Sequence, residues 1–465
     1  MQKPVVMNNK KNKLIALISP FLLLSTCASL ASCYLFKTQK SVKAYKRSYT
    51  LNEIRVAEQN TFRKLNNVSY PNQAYPKSNE LNDSEIEAYS LFSNKTYHAL
   101  VDTSKDDNMS YATIGLYSLL NEMVGASSRD ELKDQLNSLL GLNESYREAF
   151  YKKVMYANSF ASENSSIQLK NAAFLNNSYL YNHDFVDYLS KLYCEAYQLS
   201  FKNDASKMVE WVNQAVNDDN FIDEDYLEIS KDSELFLFST LYFKNMWQNK
   251  YLKENNLEDD FYLSNGSTTK ATFMKHSYMV EGYFDYEKYI SVRDYYQSGA
   301  SITYLVPKNV EDDIFELTKD VNIFVDNLEN YIKDESEYSS WYTVNLTTPK
   351  FTLKTDLNFK PSLTNLGFGD IFNPNIDSFK NAFNDENLVN YNIYADKMKQ
   401  RNEVEFNEDG TIVKSLSTAH FGKASSAAPG LGNTLDVELN QPFIYIIRDV
   451  NNTPIFVGHV DNPKG

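Results

Sequence analysis

Cysteine and histidine are scarce in this chain: its 465 residues include Cys 3 and His 5. Three thiols, Cys27, Cys33 and Cys194, cannot build a disulfide framework. His98, His183, His276, His420 and His459 nowhere stand at metal-ligand spacing, and His-Glu-x-x-His is absent, so no metal is implied. Positive charge is also short, with Lys+Arg 46 against Asp+Glu 61 and a net charge of −15. That balance argues against nucleic acid as a partner, and no basic patch suggests heparin. Gly 14 and Pro 12 are too few for a fibrous or low-complexity chain. Gly-x-Ser-x-Gly, the Walker loop and Gly-x-Gly-x-x-Gly are all missing, so no residue is nominated as nucleophile or base and no cofactor is implied. The acidic run from Asp218 to Asp225 lacks the central Gly and spaced Glu of a calcium loop, and reads as solvated surface.

Large rings are plentiful, Tyr 34 and Phe 28, enough for a sizeable core. At the N-terminus, Met7 to Lys13 is positively charged and Leu14 to Leu24 is apolar, too short between its flanks for a permanent membrane span. Leu30-Ala31-Ser32-Cys33 follows and resembles a bacterial lipobox. Residues 1–32 are therefore expected to be a lipoprotein signal peptide, with Cys33 acylated and the domain held at the outer face of a cell membrane. Residues 33–80 are polar, contain Pro71 and Pro76, show no apolar period, and read as a partly disordered tether.

A globular domain is expected over 81–465. Leu116, Leu119, Leu120, Met123 and Val124 mark one face of a helix ended by Gly125. Ser128 and Glu131 suggest a capping box for a second helix carrying Leu132, Leu136, Leu139 and Leu140, with Gly141 as its C-cap. Leu235 to Phe243 reads as a strand buried on both faces, Ser301 to Val306 and Val344 to Leu353 as further strands, and Phe443 to Val457 as a hairpin. Helices come first and strands later without βαβ alternation, which is an α+β domain. Cys194 reads as a small buried hydrophobe.

Several separated strings resemble the serpin family of protease inhibitors. They are Leu169-Lys170-Asn171-Ala172-Ala173-Phe174, Trp211-Val212-Asn213, Tyr242-Phe243-Lys244-Asn245-Met246-Trp247, Phe273-Met274, Pro349-Lys350-Phe351 and Leu366-Gly367-Phe368. Glu405-Phe406-Asn407-Glu408-Asp409-Gly410-Thr411, Pro442-Phe443 and Phe456 to Pro463 complete the series in order. The resemblance implies three antiparallel or mixed sheets, a reactive loop over about 408–440, and no catalysis. A target endopeptidase cleaves the loop, which inserts as a strand and traps the acyl-enzyme in a covalent complex with the monomeric inhibitor.

Two regions depart from the family pattern. Where the sheet opens, its Ser-Pro-x-Ser, Asn and His are replaced by Ala112-Thr113-Ile114-Gly115, Ser239 and Gln400, beside Trp247. Opening is then either slower or leakier, or lost. In the hinge after Glu408 and Gly410, strand alternation turns Thr411, Val413, Ser415 and Ser417 inward, none charged or very large, and leaves Lys414 outward. With Glu408 as the seventeenth residue upstream of the cut, its usual place in the family, the reactive bond falls at Ala424–Ser425. That choice implies an elastase-like target. The rival bond, Lys423–Ala424, implies a trypsin-like one. The competing function is a non-inhibitory surface lipoprotein of the same fold that binds a partner.

Overall fold

A computed structural model describes residues 62–78, 81–103, 108–333, 341–413 and 433–464. The α+β expectation holds, with three sheets of eight, seven and four strands.

The large sheet positions the site. Its strands are β1 (Arg63–Lys64), β2 (Ser159–Ala161), β3 (Ser165–Asn176), β4 (Cys194–Leu199), β5 (Leu235–Met246), β6 (Phe351–Asn358), β7 (Lys399–Phe406) and β8 (Gly410–Val413). Their order is β1-β4-β3-β5-β8-β7-β6, with β2 paired to β3. The pair β3/β4 is parallel, whereas β8 runs antiparallel to both β5 and β7. Behind this sheet lie α1 (Asp83–Val101), α2 (Thr113–Ala126), α3 (Asp130–Leu140), α4 (Glu144–Ala157) and α5 (His183–Lys191). In front lie α6 (Ala205–Ala215) and the short α7 (Glu224–Leu227), over a second apolar cluster that includes Phe174, Met208 and Val212. The seven-stranded sheet backs the core and contains the Phe443–Arg448 and Pro454–Val460 hairpin. Among the described residues, no helix is long and apolar enough to cross a membrane.

Local chemistry explains most of these elements. Leu132, Leu136 and Leu140 are buried along α3, each contributing about 1.5–3 kcal/mol. Gly141 ends α3 at φ 78°, where a side chain would be strained. Ser128 does not cap this helix: the N-cap is Arg129, and the Ser128 hydroxyl donates to the carbonyl of Asp377. The helix α2 runs one residue past Gly125, to Ala126. Cys194 is buried on β4, which pushes its thiol up.

Two further expectations need correction. Val344 to Leu353 is not one strand: Tyr342–Pro349 belongs to the four-stranded sheet and Phe351–Asn358 to the large one. Nor are residues 62–78 a loose tether, since the compact unit begins at Phe62. Here β1 pairs with β4, aligning Arg63 with Gln198. The Asn66 amide donates to the Cys194 carbonyl (2.9 Å) and accepts from the Ala196 N–H (2.8 Å). The Tyr70 hydroxyl donates to the Asn171 carbonyl at 3.0 Å. Phe62 stacks on Tyr197, and Leu65 and Tyr70 pack against the core, but these contacts are scattered among polar ones and form no apolar period. The lipidation expectation at Cys33 lies outside the described residues.

Candidate functional site

The candidate site is the gap between β5 and β7, entered at its upper end by β8. Gly410 pairs with Met246 and Val413 with Phe243, while Thr411 faces Phe406 across β7. A Cβ on Gly410 would lie 2.0 Å from the Asn245 carbonyl oxygen, so glycine is what lets the two backbones approach. Thr411 turns inward as alternation demands and is buried, its hydroxyl 2.7 Å from that of Tyr296. Tyr296 stacks on Trp247 at 4.6 Å, and the Trp247 indole donates to the Asn407 carbonyl at 2.9 Å. Trp247 therefore floors the hinge and does not line the lower opening.

Glu408 anchors the turn into β8. Its carboxylate accepts from Lys350 (2.9 Å) and from Asn256 (2.6 Å). Burial opposes its charge, but these hydrogen bonds outweigh that cost and hold the carboxyl below its ordinary range. The strand break at Lys350 is what frees that side chain to reach Glu408.

Below Val413 the sheet is split. On the edges that face each other, Leu235 to Tyr242 of β5 and Lys399 to Val404 of β7 have no ladder partner among the described residues. A cavity of about 940 Å³ occupies the gap. Ala112, Gly115, Leu119 and Met123 form its back wall, and Val212, Phe221, Ile222 and Tyr226 its front wall. This opening is why Leu235 to Ser239, expected to be buried on both faces, are only half-buried.

Ala112, Gly115, Ser239 and Gln400 all line this gap. Gln400 grips the backbone of Ala112 at both polar atoms: its Oε1 accepts from the Ala112 N–H at 2.8 Å, and its Nε2 donates to the Ala112 carbonyl at 3.1 Å. Asn402, two residues along the same face of β7, donates to the Ser110 carbonyl at 2.7 Å. Gly115 leaves room for this arrangement, because a Cβ there would lie 2.8 Å from the Gln400 amide. Ser239 on β5 makes no side-chain hydrogen bond. The lock thus fastens β7 to the start of α2 and leaves β5 unfastened. Tyr296 and Asn402 escaped the sequence reading. Alternation from Gln400 could have found Asn402, but nothing distinguishes Tyr296 among the tyrosines. Ser415, Ser417, Lys423, Ala424, Ser425 and the side chain of Val413 lie outside the described residues.

The family model for "Serpin (serine protease inhibitor)" matches residues 87–463. Human serpin B13 is 24% identical over 67% of this chain and 78% of its own. Plasminogen activator inhibitor 1 of Neovison vison is 24% identical over 80% of this chain and 91% of its own. The crystal structure of tengpin, a thermophilic serpin, in its native state superposes with a TM-score of 0.69 at 21% identity, covering 84% of this chain and 97% of tengpin.

Proposed function

The chain belongs to the serpin family, and from that premise we propose that it is an extracellular, lipid-anchored suicide inhibitor of serine endopeptidases. The reading is carried by one observation: β8 starts a strand between β5 and β7, and beneath it the edges of both strands are unpaired among the described residues, around an open cavity. A loop cut downstream of Thr411 can continue β8 into that gap. Each added residue then gains ladder bonds on two sides and buries its inward side chain.

The register of β8 says what each residue would meet. Continued downward, Ser415 falls between Leu241 and Asn402, and Ser417 between Ser239 and Gln400. The Ser417 site is polar on both sides and the Ser415 site on the Asn402 side alone, and neither asks for a large side chain. Lys414 falls on the front face opposite Glu403, which pairs with Lys354 at 3.2 Å, so the cation would join an existing ion pair. The family's small hinge residues are thus replaced by a set that suits this particular gap. Ala424 is the recognition residue for an elastase-like protease, and Cys33 carries the acyl chains that hold the inhibitor at the bacterial surface.

The test is to incubate the mature protein with a panel of serine and cysteine proteases and look for an SDS-stable complex. Thermal unfolding before and after loop cleavage gives an independent reading. A complex and a raised midpoint support the proposal; a cut loop with an unchanged midpoint refutes it. The second reading, a non-inhibitory surface protein that binds a partner, draws on the one-sided lock at Gln400 and would account for cleavage without a complex.

A further inference from the structure

The hinge rests on a column of rings that ends on a buried charge pair. Below Thr411, the Tyr296 ring stacks on Trp247 at 4.6 Å, and Trp247 meets Tyr251 edge-on at 5.6 Å. Tyr251 in turn stacks on the imidazole of His276, with ring centres 3.9 Å apart. His276 lies on the strand Thr268–Val280, and Asp294 faces it from the strand Tyr289–Tyr295. Their side chains are 4% and 0% exposed, and the imidazole Nε2 is 3.1 Å from the carboxylate Oδ2. Trp247 also touches both sides of the gap, since it follows β5 and packs against Phe406 of β7 at 5.0 Å.

The surroundings of His276 define its charge. Its Nδ1 lies 3.0 Å from the Asn249 carbonyl oxygen, which can only accept. Its Nε2 faces a carboxylate, which when ionised also only accepts. A neutral imidazole carries one N–H and would turn a lone pair towards one of these oxygens, whereas the imidazolium presents an N–H to each. Nε2 and Oδ2 are close without an aligned hydrogen bond, so charge joins the pair more than direction. Among the described residues, His276 is the ion-pair partner of Asp294, whose other oxygen accepts from the Tyr295 N–H at 2.8 Å. The titratable rings around the pair are Tyr251, Tyr278, Tyr296 and Tyr304. Burial above all, with the Asp294 charge adding to it, pushes their hydroxyls far up, so they stay protonated and neutral. Without the imidazolium, the carboxylate would be a buried charge with nothing to balance it.

We propose that His276, held as an imidazolium by Asp294, is a proton-operated support for the hinge: the proton braces the ring column and keeps the top of the gap shut, and its loss lets the gap part more readily. The consequence for loop insertion rests on the reading above. The sign follows from the contacts. Losing the proton sets an acceptor against an acceptor, removes the attraction to Asp294, and ends the cationic stacking on Tyr251. Tyr251 then holds Trp247 less firmly, and Trp247 is what seats Tyr296 under Thr411. The hinge should be tightest at acid pH and loosen as pH rises through the interval in which imidazoles give up their charge.

The test uses the mature chain and the variants His276→Gln and Asp294→Asn. Amide protection of residues 410–412 in the uncleaved proteins, corrected for the intrinsic exchange rate, is measured from about pH 5 to about pH 8. We expect the parent to lose about tenfold in protection over that range, and both variants to show one low, pH-independent value. Protection that is constant with pH in the parent, or that falls equally in the variants, overturns the proposal. Should a variant fail to fold, NMR of the parent decides. The imidazole in contact with the Tyr251 ring should show two slowly exchanging ring N–H protons at about pH 5 and one at about pH 8, and an unchanged pattern overturns the support. After loop cleavage by excess protease, insertion followed by Trp247 fluorescence should quicken with pH in the parent and not in the variants. Insertion at the same rate across the range overturns the role of the support in opening the gap. A parent that never inserts refutes the insertion reading; pH-dependent protection then upholds the support, and pH-independent protection overturns it.

Discussion

Thr411 on β8 and Tyr296 beneath it share a hydrogen bond of 2.7 Å inside the core, joining the first residues of the hinge to a ring stacked on Trp247. Both hydroxyls are buried, and burial pushes that of Tyr296 far up, so it remains protonated. Removing one partner strands the other. Tyr296→Phe should destabilise the uncleaved protein by about 1–3 kcal/mol, and adding Thr411→Val should recover part of that loss. Urea unfolding of the two single variants and the double variant measures it; strictly additive losses would refute the pairing.

The grip of Gln400 on Ala112 makes a second prediction. Gln400→Leu keeps the bulk but removes both hydrogen bonds, leaving the Ala112 N–H and carbonyl to find other partners. A loss of about 1–3 kcal/mol is expected, with faster hydrogen exchange at Ala112 and along β7. Gly115→Ala should reproduce a weaker form of the same change, because its Cβ would crowd the Gln400 amide. Unaltered exchange in both variants would mean that the amide fastens nothing.

Glu234, at the lower end of β5 where the cavity begins, supplies a pH prediction. Burial raises its carboxyl to about 7, although Asn176 donates to it at 2.8 Å. Between the ordinary glutamate range and about pH 7, the unfolded chain has released this proton while the folded one retains it. The folded state then binds more protons, so this group's contribution to stability falls as pH rises through that window. Glu234→Gln should flatten this part of the profile and be the more stable protein above pH 7. Parallel stability curves for parent and variant across the window would sink the assignment.

The reactive bond is decided by mass spectrometry of the fragment released from an inhibitory complex. A C-terminal fragment beginning at Ser425 supports Ala424–Ser425, and one beginning at Ala424 supports the rival. Ala424→Arg should shift inhibition from elastase-like to trypsin-like proteases by an order of magnitude or more. Undiminished elastase inhibition would remove Ala424 from the recognition site.

What the sequence revealed and what it hid follow from where the information resides. The leucines of α3, the Gly141 cap and the alternation that turns Thr411 inward are local patterns, and the structure keeps them. The gap is not local: whether β5 and β7 pair depends on two strands more than 150 residues apart in number, from Leu235 to Lys399. Neither edge advertises its missing partner. Residues 62–78 hide their order for a different reason: Asn66 and Tyr70 bind them through hydrogen bonds to main chain, while composition alone suggests a solvated tether. The break at Lys350 was likewise invisible, since apolar alternation continues on both sides of it although the chain changes sheets.

The strap has a consequence for how copies of this protein behave beside one another. A strand at the rim of a sheet presents unused N–H and carbonyl groups to any neighbouring chain, and anchoring many molecules to one surface would bring such rims together. By laying β1 and Leu65 along β4, the chain occupies part of that rim with its own backbone. The segment leading towards the proposed anchor thus also blunts edge-to-edge association, and its loss would be felt first as a tendency to aggregate in crowded films and only second as a loss of fold.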